Sequence, residues 1–211
     1  MEIFKKYPPL EVTKLCRVYR AFSSETHEQY DPWFFSYGAD LRLSSEKHGI
    51  KIGYWAETIP GAFEETILHR KEGQYMVNRK QMVSREILHS RNTARITLHS
   101  KDALKLVPLD ISDNNDVVTS AYYGMGSDKD EFVNDAYNFS GINFDGIAFR
   151  SNQNNNFICY GLFDRGINKL RTAKVTKQCR YFNTKSLASD SIALVEILKV
   201  FPELRIENPS S

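Results

Sequence analysis

Short apolar segments of strand length, bounded by turn residues, most constrain what this chain can fold into. LCRVYRA (15–21) follows a Pro-Pro turn and mixes apolar with basic residues, as a strand does. IKIGYWA (50–56) reads as a second strand. Between 91 and 110, ARITLHS and LKLVPLD alternate apolar positions, which predicts two strands joined by a polar turn. FDGIAF (144–149) and FICYGLF (157–163) flank an Asn-rich loop, NQNNN (152–156), as a hairpin with a long connection would. AKVTKQCRYF (173–182) reads as a further strand. Helical spacing is confined to three places. Pro60 sits where a helix accepts proline, and AFEETILH (62–69) continues from it. GSDKDEFVNDAYNF (126–139) offers Ser127 as N-cap with acids in the first turn, and SDSIALVEILKVF (189–201) makes an amphipathic final helix. The aromatic run PWFFS (32–36) leads into GADLRLSSEKHG (38–49), polar and Gly-bounded, hence a loop. Strands outnumber helices and do not alternate strictly with them, so the pattern predicts an α+β fold rather than a doubly wound sheet.

The chain has 211 residues, which suits one domain by the prior of roughly 100–200 residues each. No internal repeat or low-complexity linker divides it. Hydrophobic residues at 41% and charged residues at 26% describe a globular protein. A formal net charge of +2 argues against nucleic-acid binding by bulk electrostatics, while leaving room for an anionic ligand in a local basic pocket. Cys16, Cys159 and Cys179 are odd in number and far apart, without a CxxC pair, so neither a disulfide framework nor a zinc site is expected. The opening MEIFKKYPPL has no apolar core of a signal peptide, and no run of about 18 apolar residues could span a membrane. The expectation is a protein of the reducing cytoplasm.

Chemistry-bearing residues are few. The stretch YWAETIPGAFEET (54–66) crowds three acids, Glu57, Glu64 and Glu65, into an otherwise apolar segment. Either they are the solvated rim of an ordinary strand–helix unit or one is a working carboxylate. Successive positions on an α-helix point about 100° apart, so Glu64 and Glu65 are not expected to share one environment. Arg17 and Arg20 lie on or beside the first strand and Arg42 in the loop after the aromatic run. A planar guanidinium matches phosphate oxygens, although each arginine alone reads equally as a surface or ion-pair residue. Trp33, Phe34, Phe35, Tyr37, Tyr54 and Trp55 could stack a ring or simply fill the core. Ser151 follows FDGIAFR without a GxSxG elbow, so it reads as a hydrogen-bonding serine at a strand end rather than a nucleophile. The five histidines lack HExxH or similar metal spacing, and GxGxxG and GxxxxGK[ST] are both absent.

Taken in order, LCRVYRA, PWFFSYGADLRL, IGYWAETIPGAFEE, FDGIAFRSN and FICYGLF resemble the RES domain, a family named for the Arg, Glu and Ser of its pattern. The likeness runs over roughly residues 14 to 166. Carried across, the family's first arginine falls on Arg17 and its second on Arg42. The usual Gly and aromatic around that second arginine are here Leu41 and Leu43. The family's tyrosine matches Tyr54, its glutamate Glu65 in AFEE, and its serine Ser151. Many members place an arginine directly after that serine, whereas here Arg150 precedes it and the Asn-rich loop follows.

The resemblance implies a single domain over 1–211, like the ADP-ribosyltransferase toxins. It would hold a mixed, mostly antiparallel twisted sheet with flanking helices, and the strand and helix of 173–201 would pack on the same core. It implies an NAD⁺-consuming toxin enzyme that cleaves the nicotinamide–ribose bond as a glycohydrolase or phosphorylase, with NAD⁺ as substrate and neither cofactor nor metal. Glu65, Arg17 and Ser151 would be catalytic, and Arg42 and Tyr54 would bind NAD⁺. Glu65 would stabilise the oxocarbenium-like state while Arg17 and Arg42 hold the pyrophosphate, and Glu57 and Glu64 would remain surface acids. Alternatives are mono-ADP-ribosyl transfer to a protein and a catalytically silent interaction module. The implied partner is a cognate antitoxin protein, with no nucleic acid or membrane, and a homo-oligomer is left open.

Overall fold

The computed structural model describes residues 9–20, 33, 43–68, 74–77, 80–109, 127–139, 142–151, 156–175 and 182–207. In chain order the strands are β1 (Leu10–Val12), β2 (Lys14–Arg20), β3 (Ile52–Ala56), β4 (Gln74–Val77), β5 (Lys80–Ser84), β6 (Arg91–Thr97), β7 (Leu104–Pro108), β8 (Gly146–Arg150), β9 (Ile158–Phe163), β10 (Phe182–Ser186) and β11 (Arg205–Glu207). The α-helices are α1 (Ile59–Phe63), α2 (Arg85–His89), α3 (Ser127–Tyr137), α4 (Asp164–Val175) and α5 (Ser191–Val200).

Among the described residues the frame is an eight-stranded sheet in the order β1-β7-β8-β9-β3-β2-β6-β10. Only β7 and β8 run parallel, and every other neighbouring pair in it is antiparallel. The fold is therefore α+β with a mixed, mostly antiparallel sheet. A smaller sheet, β11-β5-β4, lies apart from it.

Alternation along the central strands sends side chains into two apolar layers. One layer takes Cys16, Val18, Ile52, Ala56, Ile147, Phe149, Cys159 and Phe163, packed with residues of α1, α3 and α5. The other takes Leu15, Tyr19, Trp55, Ala94, Ile96, Ala148, Tyr160 and Leu162 beneath Ile167 and Leu170 of α4. Burial on both faces explains why FDGIAF and FICYGLF are almost continuously apolar. The helix α5 is locked to β6 by Asp190, whose side chain caps Ala193 N at 3.0 Å and accepts from Thr93 Oγ1 at 2.8 Å. An Arg95–Glu196 ion pair at 3.0 Å adds to that lock. No described helix is long and apolar enough to cross a membrane.

The joint between β2 and β3 is where this sheet departs from a regular one. β2 pairs with β6 over its whole length, Lys14↔Thr97 to Arg20↔Arg91, and β3 pairs fully with β9. Between themselves β2 and β3 share one pair, Cys16↔Ala56. Beyond it the two strands part, and the sheet splits.

Two expectations need correction. AKVTKQCRYF is not a strand over its length: Ala173–Val175 end α4, and β10 begins only at Phe182. The helix is hard to read from sequence because its apolar positions, Ile167, Leu170, Ala173 and Val175, are few among basic and polar residues. The two strands expected of ARITLHS and LKLVPLD are present as β6 and β7, joined by a short turn, and they lie five places apart in the sheet. The segment 62–69 does not continue as an α-helix: after Phe63 it widens into a π-helical turn over Glu64–Leu68. Arg42, Cys179, the aromatic run apart from Trp33, and 152–155 of the Asn-rich loop lie outside the described residues.

Candidate active site

The split in the sheet is occupied by the segment that follows β3. Thr58, two residues beyond the end of β3, caps α1, accepting from Gly61 N at 3.2 Å, with Pro60 in the first turn where its missing N–H costs nothing. Residues Ile59–Phe63 are all buried, which drives α1 into the core. The wide turn Glu64–Leu68 then crosses to β2, where Thr66 Oγ1 donates to Val18 O at 3.1 Å. That carbonyl lies on the stretch of β2 that has parted from β3, so the turn satisfies backbone the split leaves without a strand partner. Ile67, fully buried, anchors the turn from beneath. Single π turns of this kind are rare and concentrate at functional sites.

On this turn Glu64 is buried, with 4% of its surface exposed, and receives a hydrogen bond from Ser151 Oγ at 3.0 Å. Ser151 is itself fully buried. Its N–H donates to Phe157 O at 2.9 Å, which closes the end of the β8–β9 hairpin. Burial pushes the Glu64 carboxyl up to about 7; the Ser151 hydroxyl opposes that rise and the neighbouring Glu65 charge adds to it. Glu65 is half-buried, and its Oε1 is enclosed without a hydrogen-bond partner among the described residues. Both carboxylates lie near Cys159 of β9, whose thiol is raised first by burial and then by the charges of Glu65 and Glu64.

One expectation about these acids is overturned. Glu64 is not a solvated helix acid: it is buried against Ser151, whereas Glu65 is half-buried, and the two lie close enough for the Glu65 charge to raise the Glu64 carboxyl. No local pattern marks Glu64, because its partner is 87 residues away in sequence. Glu57 is exposed, as expected of a rim residue.

Tyr54 packs on the layer that holds Ala62 and Phe63 of α1, edge-on against Phe149 with ring centroids 6.3 Å apart. Its hydroxyl accepts from Leu43 N at 3.2 Å, so it ties down the residue that follows Arg42. Arg17 is not brought beside these groups. Strand alternation directs it to the other layer, where it is buried with its guanidinium 5.4 Å from the Trp55 ring centroid. It sits immediately past the last shared pair of β2 and β3, at the start of the split.

The family model for the RES domain matches residues 17–182 of the 211-residue chain. That span begins at Arg17 and takes in Tyr54, the wide turn with Glu64 and Glu65, and Ser151. No curated protein matches the chain.

Proposed function

The chain belongs to the RES domain family, and from that premise we propose that it consumes NAD⁺ by cleaving the nicotinamide–ribose bond, with Glu65 as the working acid. One observation carries the choice of acid. Glu65 Oε1 is enclosed without a hydrogen-bond partner at the split of the sheet, and an unsatisfied buried acceptor calls for a partner that the described residues do not supply. A ribose hydroxyl or the positive charge developing on the ribose would meet that need.

As the bond breaks, its electron pair goes to the nicotinamide nitrogen, which leaves neutral, and the ribose becomes oxocarbenium-like. A carboxylate already held in place stabilises that charge without reorganising. An acceptor then attacks the anomeric carbon: water yields ADP-ribose and a proton, and phosphate yields the corresponding 1-phosphate. Arg42, next to the residue that Tyr54 anchors, would hold the pyrophosphate, and Tyr54 would border the dinucleotide. Arg17, at the start of the split, would contribute to that clamp. A cognate antitoxin that covers this site completes the reading.

Incubation with NAD⁺, with and without phosphate, followed by mass analysis of the products, tests it. Free nicotinamide together with ADP-ribose or its 1-phosphate is the expected result. Mass added to a co-incubated protein would shift the reading to ADP-ribosyl transfer. Intact NAD⁺ in every mixture would overturn it.

A further inference from the structure

Glu65 sits between two tethers. On one side Glu64 is held by Ser151, at the end of β8; on the other Thr66 is held by the Val18 carbonyl of β2. The two anchors belong to strands on opposite sides of the split, since β8 lies with β9 and β3 while β2 lies with β6. A carboxylate that stabilises a transient charge must be held within about half an ångström of its working position by neighbours that are themselves locked. The tethers meet that requirement, and both partners of the Glu64–Ser151 bond are buried.

We propose that Glu64 is a positioning residue of this site: its carboxyl accepts the Ser151 hydroxyl proton and thereby fixes the wide turn that presents Glu65 to the substrate. The proposal rests on the reading of Glu65 given above. It also assigns Ser151 a role through Glu64 rather than by contact with substrate, because its hydroxyl proton is already committed and its surface is covered. The elevated affinity of Glu64 for its own proton is consistent with this use, since a neutral carboxyl still offers a carbonyl oxygen to Ser151. A glutamine at this position offers the same acceptor.

The test is steady-state NAD⁺ turnover by the wild-type chain and by Glu64→Ala, Glu64→Gln, Ser151→Ala, Thr66→Val and the Glu64→Ala/Ser151→Ala double variant. Each is first shown to be folded by circular dichroism. Loosening the turn is expected to lower kcat by on the order of ten- to a hundred-fold in Glu64→Ala and Ser151→Ala, with KM changed little because the loss falls on the transition state. Glu64→Gln recovers most of the turnover lost in Glu64→Ala. The double variant is no worse than the poorer single one, as for two ends of one bond. Thr66→Val, which keeps side-chain size while removing the second tether, shows the same split between kcat and KM. The proposal is overturned if the wild type turns over NAD⁺ and Glu64→Ala does so equally well, if Glu64→Gln is no better than Glu64→Ala, or if the two single losses multiply. A wild-type chain that leaves NAD⁺ intact overturns the activity itself, which is a different outcome from an active wild type with an equally active Glu64→Ala.

Discussion

Glu64 and Glu65 are adjacent and chemically identical, yet their settings differ. One is buried with a hydrogen-bond partner, and the other has an enclosed oxygen with none among the described residues. If Glu65 stabilises the oxocarbenium-like state, Glu65→Gln keeps size and removes the charge. Turnover is expected to fall by about 10²-fold or more, while NAD⁺ affinity measured by calorimetry changes far less. Glu64→Gln is not a surface control for this experiment, because Glu64 is buried; the exposed Glu57 is, and Glu57→Gln should turn over NAD⁺ like the wild type. Equal losses at 65 and 57 would mean a general loss of negative charge. Arg17 invites a second measurement. A charge-assisted contact to phosphate is worth on the order of 1.5–3 kcal/mol, so Arg17→Ala is expected to weaken NAD⁺ binding by about ten-fold or more. Its guanidinium also lies over Trp55, and losing that contact should lower the melting temperature by a few degrees. Arg17→Lys should restore stability better than affinity, since an ammonium keeps the charge over the ring but lacks the fork. A melting shift with unchanged affinity would assign Arg17 to packing alone.

Elements in this chain are set against one another by close approaches that a larger side chain would prevent. Gly166 opens α4 directly on the Asp145 carbonyl, where a Cβ would come within 2.3 Å of the oxygen. Asp145 is a junction: its carboxylate accepts from Lys105 N at 2.8 Å and from Lys169 Nζ at 3.0 Å, and its carbonyl accepts from Phe163 N at 2.9 Å. Gly166→Ala must therefore move α4 or the start of β8, and overpacking of this kind costs about 1–3 kcal/mol. Thermal unfolding is the measurement, with a fall of a few degrees expected for a chain of this size; an unchanged melting temperature would show that the junction gives way freely. The remaining α4 contacts explain why this helix was hard to see in the sequence. Among its described side chains the buried apolar ones are Ile167 and Leu170, and the long stems of Lys169 and Arg165 reach neighbouring elements, Lys169 bonding Asp145 and Arg165 stacking on Tyr137. The hairpin of β8 and β9 was legible for the opposite reason, since both strands are buried on both faces.

At the scale of the molecule, the buried Glu64 makes stability depend on pH in a direction opposite to that of a carboxylate whose pKa is lowered by an ion-pair partner. Its folded value, about 7, stands above the ordinary 4.5, so the folded state holds the proton more tightly than the unfolded chain. The stabilisation linked to that proton is complete below about 4.5 and is lost as the pH rises through about 7. At roughly 1.4 kcal/mol per unit, a few kcal/mol are at stake. Melting of the wild type relative to Glu64→Gln should show the difference between them shifting against the wild type from pH 4.5 to 8; a constant difference would place Glu64 in contact with solvent. The sequence by itself determined the α+β class, the central strands and the family, because strand alternation, turn residues and motif order are local properties that survive without tertiary context. It also placed Glu65, Tyr54 and Ser151 among the residues of interest through that motif order. Only the tertiary structure decided that β2 and β3 share a single pair, that the chain after Phe63 widens to reach Val18, and that Glu64 finds Ser151 across 87 residues. Those outcomes depend on which backbone groups the split sheet leaves to be satisfied, and no window of neighbouring residues contains that information.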